Sequence, residues 1–219
     1  MQDPNPQVAG AGLARLEAAG IATEAGVLAA ESAALNPGFI QRMRSGRPFV
    51  RCKLAMSLDG RTALASGESR WITGPAARAD VHRLRARSSA ILTGSGTVLA
   101  DDPSLTARPE GMEDAALLQP LRVVLDTQLV LPPSAKLLSQ PGKTLVLTGS
   151  ENTGRRQALE DAGAEVLGVQ LRDGHLDLPT VLALLGEREI NEVMVEAGPT
   201  LAGALLQAGL VDELVIYLA

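Results

Sequence analysis

A run of apolar residues over 51–56 carries a single lysine, Lys53, and delivers it to Ser57-Leu58-Asp59-Gly60, where aspartate and glycine favour a turn. The polar stretch beyond presents Ser69 and Trp71, the one tryptophan in a chain with one tyrosine and two phenylalanines. A broad π-face beside a hydroxyl suits a planar, polar ligand; a ring folded back onto the core is the other reading. Near the opposite end, Val193-Met194-Val195-Glu196 reads as a strand that Ala197-Gly198-Pro199-Thr200 turns into a helix. Gly198 permits close backbone approach, and Pro199 suits the first helical position. The free N–H groups of such a terminus attract anions. A dinucleotide pyrophosphate would fit there, although an ordinary strand-to-helix turn has the same sequence. Glu196 ends the strand beside this crevice, where ligands of open α/β sheets sit.

Gly94-Ser95-Gly96-Thr97 repeats the logic after a second strand. It is no dinucleotide fingerprint, because Leu99 stands where a third glycine is expected, and Gly10-Ala11-Gly12 fails in the same way with Arg15. Thr97 can still hydrogen-bond a phosphate or ribose, and Asp101 can accept from ribose hydroxyls. Asp101-Asp102-Pro103 alone is equally a turn or a cap, and Asp102 reads as structural. Arg78, Arg83, Arg85 and Arg87 crowd one helical segment, most of them facing solvent. His82 on that segment reads as a satisfied structural histidine, and His175 as an exposed turn residue. Zinc deaminase chemistry needs His-x-Glu and Pro-Cys-x-x-Cys ligands. Two histidines and one cysteine, Cys52, supply neither, so no metal site and no deaminase activity are expected.

The elements that must position these groups alternate. Strands are expected at Phe49 to Met56, Ala90 to Thr93, Arg122 to Leu125, Thr144 to Leu147, Glu165 to Val169, Glu192 to Glu196 and Glu213 to Leu218. Helices are expected at Pro75 to Arg87, Gly154 to Ala162, Leu178 to Leu185 and Thr200 to Ala208. Several strands are continuous apolar runs, the mark of a sheet covered on both faces. The alternation argues α/β with a mostly parallel central sheet flanked by helices. Residues 108–119 read as a loop. Ahead of this region come a short helix at Ala11 to Ala19, a strand at Ile21 to Val27 and a helix at Ala29 to Arg44, bent near Asn36-Pro37-Gly38. That fragment has too little apolar surface for a core of its own.

Composition sets outer bounds. The 219 residues are 46% hydrophobic, enough for a sizeable core, and a net charge of −5 gives no electrostatic case for nucleic acid. No apolar run reaches the length of a membrane span, no secretory signal is evident, and the lone cysteine fits a reducing, cytoplasmic setting.

Three stretches carry a family resemblance in order and spacing: residues 51–74, residues 90–106 with Thr93-Gly94-Ser95-Gly96-Thr97 and Asp101-Asp102-Pro103-Ser104-Leu105-Thr106, and Val195-Glu196-Ala197-Gly198-Pro199-Thr200-Leu201-Ala202. Together they resemble the reductase domain of the bifunctional riboflavin-biosynthesis deaminase/reductase family, over residues 47–219. The segment 1–46 is similar to the tail of that family's deaminase domain. The family chain continues beyond the strand that closes this sequence, so a C-terminally truncated reductase domain is expected. The resemblance implies a dihydrofolate-reductase-like fold and NADPH-dependent reduction of 5-amino-6-(5-phosphoribosylamino)uracil to its ribitylamino counterpart.

By the same resemblance the cofactor meets Ala55, Trp71, Thr97, Asp101, Thr127 and the run Gly198, Pro199, Thr200, Leu201, Ala202, Gly203 and Ala204. Substrate meets Ser69, Arg85, Leu105, Arg108 and Glu196, with the two guanidiniums as a clamp for the sugar phosphate. Lys53 is a further candidate, its ammonium donating to a uracil carbonyl. No general acid is assigned. The partners implied are the small-molecule substrate and a second copy in a homodimer, with neither nucleic acid nor membrane. A module that holds NADPH without catalysis, a structural or oligomerisation fragment, and a same-fold reductase of another pyrimidine or pterin are the competing readings.

Overall fold

Seven short, apolar, β-branched-rich segments lie side by side in the computed structural model, which describes residues 1–62, 73–111 and 118–218. In chain order the elements are α1 (Ala11–Ala18), α2 (Ala29–Ala34), α3 (Pro37–Ser45), β1 (Phe49–Met56), α4 (Pro75–Arg87), β2 (Ala90–Gly94), α5 (Ser95–Asp101) and β3 (Leu121–Leu125). A 3-10 turn at Lys136–Ser139 precedes β4 (Thr144–Thr148), α6 (Thr153–Asp161) and β5 (Ala164–Gly168). A two-residue hairpin of β6 (Leu171–Arg172) and β7 (His175–Leu176) follows. The chain then makes α7 (Leu178–Glu187), β8 (Glu192–Glu196), α8 (Pro199–Gln207) and β9 (Glu213–Leu218).

Among the described residues the sheet runs β5-β4-β3-β2-β8-β1-β9, and every neighbouring pair in it is parallel. Parallel neighbours need crossovers; helices supply most of them, and between β3 and β4 an irregular segment with the 3-10 turn does. The chain steps from β1 past one vacant place to β2, then outward to β5, and returns so that β8 fills the gap between β2 and β1. This reversal of strand order makes a switch point, and such sheets receive ligands there, outside the C-terminal strand ends.

Side chains alternate between two cores. Val50 and Cys52 of β1, Ala90 and Leu92 of β2, and Val193 and Val195 of β8 pack against Val181, Leu182 and Leu185 of α7 and Ala202 and Leu205 of α8. On the other face Val124, Val146 and Val166 meet Val98 of α5 and Leu159 of α6. Fully burying one such side chain stabilises by about 1.5–3 kcal/mol. Arg122 is a fully buried cation on β3. It donates to Thr144 Oγ1 at 3.0 Å and to the carbonyls of Gln140, Pro141 and Gly142 at 3.1, 2.6 and 2.8 Å, tying the loop before β4 to the sheet.

The structure corrects the sequence reading at several points. Ile21 to Val27 is no strand: Ile21 and Val27 are exposed, no strand pairs with them, and positive φ at Gly26 and Leu28 interrupts extended backbone. The bend expected near Asn36 is a full break between α2 and α3, with Pro37 starting the new helix. Helix α5 lies where a glycine-rich turn is expected, and the β6–β7 hairpin was not anticipated. His175 is exposed as expected, but it sits in β7 beside the turn of Asp173-Gly174. Residues 108–111 and 118–119 carry no helix or strand.

Candidate active site

Register places the chemistry in a row. Lys53 of β1 is the Cα partner of Glu196 in β8, and Ala55, two residues on, is the partner of Tyr217 in β9. Because alternate strand residues face opposite sides, Lys53 and Glu196 point away from the core of Cys52 and Val195, toward α4. Helix α4 forms there because Gly74 and Pro75 open it, and the arginines of its last turn complement the helix dipole.

Arg85 in that last turn grips Glu196 bidentately, Nε to Oε1 at 2.5 Å and Nη2 to Oε2 at 2.8 Å, while Nη1 donates to the Thr106 carbonyl at 3.0 Å. The side chains of the pair are only 14% and 11% exposed. Burial pushes the Glu196 carboxyl up, but the charge and hydrogen bonds of Arg85, aided by Lys53 and His82, hold it below the usual carboxylate range. Burial likewise lowers the Arg85 guanidinium and Glu196 more than restores it, so its charge is secure. Of the two guanidiniums read as a phosphate clamp, Arg85 thus directs its donors at protein groups, whereas Arg108 is exposed.

His82, one turn before Arg85, accepts the backbone N–H of Arg108 on Nδ1 at 3.2 Å. Lys53 Nζ stands 6.0 Å from the centre of the Tyr217 ring, and the Tyr217 hydroxyl donates to Asp80 Oδ2 at 2.6 Å. Burial first, then the Asp80 hydrogen bond and charge, push the phenol above its ordinary range, so Tyr217 stays protonated. His82 is a satisfied histidine, as the sequence reading has it, whereas that reading gives Asp80 and Tyr217 no part. The available signal is that the one tyrosine shares an alternation face with Lys53 and Ala55, but that requires the β1–β9 register.

The glycine turns form the second wall. The Gly198 N–H donates to Thr97 Oγ1 at 3.2 Å, so the starts of α5 and α8 lie against each other. A Cβ on Gly96 would meet nothing within 4 Å, and one on Gly198 only Thr97 Oγ1 at 4.0 Å, which leaves backbone approachable. Thr200 and Leu201 occupy the first turn of α8, where N–H groups have no intrahelical partner. This cradle of open backbone and unsatisfied donors fits the pyrophosphate of a dinucleotide. Ala202 is buried in the core and offers backbone alone; Pro199 is exposed, and Gly203 and Ala204 are half-buried.

The remaining expected residues lie on the segments that follow β1, β2 and β3. Asp101 ends α5, and Asp102 closes it with φ 41° while its carboxylate accepts the Lys136 N–H at 2.8 Å. Thr127 follows β3, and its carbonyl accepts from Gly149 N and Thr148 Oγ1 at 3.2 and 3.3 Å. Leu105 is 3% exposed with φ 48°, a wall rather than a reaching side chain. The expected turn after β1 forms, with the Gly60 N–H on the Ser57 carbonyl at 2.8 Å and φ 81° at Gly60. Ser69 and Trp71 lie outside the described residues.

A seven-stranded parallel sheet flanked by helices is an α/β architecture, and the solved structures it superposes on give it the dihydrofolate-reductase-like fold. Residues 48–219 match the family model described as the RibD C-terminal domain. The chain belongs to that family. It is 51% identical over 227 residues to the riboflavin biosynthesis protein RibD of Escherichia coli, covering all of this chain and 61% of that protein. It superposes on Acinetobacter baumannii RibD with a TM-score of 0.88 at 45% identity, covering all of this chain and 59% of that one. A second solved structure is the Thermotoga maritima diaminohydroxyphosphoribosylaminopyrimidine deaminase/5-amino-6-(5-phosphoribosylamino)uracil reductase. It superposes with a TM-score of 0.82 at 34% identity, covering 99% of this chain and 57% of that one. The chain therefore spans about three fifths of the relatives it matches.

Proposed function

We propose that this chain reduces 5-amino-6-(5-phosphoribosylamino)uracil to the ribitylamino compound with NADPH, in riboflavin biosynthesis. The observation that carries the reading is the row Lys53–Glu196–Arg85 set directly beside the Thr97–Gly198 cradle, within the family and fold to which reductases such as the Thermotoga protein belong. NADPH, when bound, supplies a hydride to C1 of the ring-opened, imine-like sugar, whose nitrogen takes a proton. Everything else is positioning.

In this reading Thr97, Asp101, Thr127 and the turn Gly198 to Ala204 hold the cofactor, with Ala55 beneath it and Trp71 beside it. Glu196, fixed in one orientation and ionised by Arg85, accepts hydrogen bonds from the substrate. Lys53 donates to a uracil carbonyl; Arg108 meets the phosphate; Ser69 and Leu105 complete the wall. The preference for NADPH, a homodimer and a cytoplasmic setting belong to the same reading. So does the division into a deaminase tail at 1–46 and a reductase domain at 47–219. The division is supported by the family boundary at residue 48 and by the absence of buried residues from α1 and α2.

The test is NADPH oxidation by the purified chain offered the ribosylaminouracil phosphate. Turnover above the substrate-free rate, lost in Glu196→Gln and weakened in Arg108→Ala, is the expected result. NADPH binding without oxidation would favour the non-catalytic module, and binding of neither ligand would sink both. In Lys53→Met, substrate binding should weaken while NADPH binding is spared; equal loss of both would remove Lys53 from the substrate side.

A further inference from the structure

We infer that His82 is a positioning residue for substrate, holding the Leu105–Arg108 wall in place through a hydrogen bond that only the neutral imidazole can make. The inference rests on the reductase reading for its ligand, and on the geometry of the free protein for its mechanism.

The segment Leu105–Arg108 is irregular yet buried at Leu105, Thr106 and Ala107, and it contains a left-handed leucine. Such backbone persists only where its surroundings over-determine it. Three anchors do so. Arg85 Nη1 donates to the Thr106 carbonyl at 3.0 Å. The Gln119 side chain both accepts the Ala107 N–H and donates to the Ala107 carbonyl, each at 2.9 Å. His82 Nδ1 accepts the Arg108 N–H at 3.2 Å. Neither the arginine nor the amide titrates near neutral pH; the imidazole does. The His82 bond is also the last fixed point before the exposed Arg108 guanidinium, so it sets where that guanidinium can reach.

An acceptor at Nδ1 requires the proton on Nε2. Protonation would put an N–H at Nδ1 facing the N–H of Arg108, and the anchor would be lost. The charged groups facing the ring are Arg85 from α4 itself, Arg108 from the wall and Glu196 from β8. Burial first, then the two guanidiniums, lower the imidazole from its ordinary range, while a Thr106 backbone hydrogen bond and Glu196 work the other way. The neutral form is therefore the working form at neutral pH. The anchor fails as pH falls through a value below the ordinary one of about 6.5.

Asparagine places its side-chain oxygen where Nδ1 stands, one bond from Cγ, and does not titrate. The test compares wild type, His82→Asn and His82→Ala in substrate KM, kcat and NADPH affinity from about pH 5 to 8. Loss of one hydrogen bond predicts a rise of roughly tenfold in wild-type substrate KM on acidification, with kcat and NADPH affinity changed less than about twofold. His82→Asn should match wild type at neutral pH and lack the acid limb; His82→Ala should bind substrate weakly throughout. Persistence of the acid limb in His82→Asn would overturn the proposal, as would parallel loss of NADPH affinity in His82→Ala. Should His82→Ala not fold, the asparagine variant still decides by its pH profile. In the free chain, the Arg108 amide resonance should titrate with the His82 ring; independence of the two would also overturn it. If they titrate together but wild type binds no substrate, the contact stands and the reductase reading falls.

Discussion

The Tyr217 hydroxyl donates to Asp80 at 2.6 Å, joining strand β9 to helix α4 across 137 positions of sequence. Since Tyr217 is the one tyrosine, tyrosinate absorbance reports it alone. Its folded pKa is raised above the unfolded value, so its contribution to stability is complete below pH ~10 and declines as pH rises beyond it. Native protein should show no tyrosinate near pH 10, whereas chain unfolded in urea should titrate there. Tyr217→Phe should cost about 1 kcal/mol in urea unfolding. A native titration at the ordinary value would deny the contact.

Glu196 and Arg85 give the opposite pH signature. The folded carboxyl lies below its unfolded value, so its contribution is present above about pH 4.3 and is lost as pH falls toward the folded value. Glu196→Leu leaves a buried guanidinium unpaired and should cost about 3–5 kcal/mol. Adding Arg85→Met should recover much of that loss, because two apolar groups need no partner. Simple additivity of the two costs, measured in a double-mutant cycle, would show that the pair is not coupled.

Cys52 lies on β1 with no exposed surface, and burial raises its thiol above the ordinary range. Thiol reagents should therefore react slowly with native protein and rapidly in denaturant. As the single cysteine, it makes the labelling rate a direct measure of opening of the sheet centre. Fast labelling at neutral pH without denaturant would contradict the packing.

Gly186 touches the backbone that leads into β1: a Cβ there would lie 1.9 Å from the Gly46 carbonyl oxygen and 2.8 Å from its carbon. Gly186→Ala should cost about 2–3 kcal/mol by overpacking. Gly12→Ala in α1, where nothing lies within 4 Å, should change stability by less than about 1 kcal/mol, in the favourable direction. Equal effects in thermal or urea unfolding would show that residue 186 is not closely packed.

Local signals account for what was legible in the sequence. The bounds of β1, β8, β9 and α4 follow from apolar runs, a Gly-Pro start and an arginine-rich last turn. Ile21 to Val27 misleads because β-branched residues favour a strand only where another strand stands beside it. Helix α5 has seven residues with Gly96 inside, too short and too weak a former to register. Lys53, Thr97, Arg85, Arg108 and Glu196 were all picked out as candidates, but not who holds whom. Arg85 and Glu196 are 111 residues apart, and no local pattern encodes their pairing. His82, Asp80 and Tyr217 acquire meaning only from register and helix placement.

The insertion of β8 between β2 and β1 bears on the order of assembly. The central strand of the site, β8, comes about 100 residues or more after both of its neighbours, β1 and β2, in the sequence, so both are made long before it. Until residues 192–196 enter, Lys53 and Arg85 have no carboxylate between them, and β1 and β2 stand one strand apart. Closing such a gap joins segments distant in sequence, which makes folding slow relative to local structure. The crevice is consequently a late product of folding, and ligand affinity will report completion of the whole sheet rather than of any part of it.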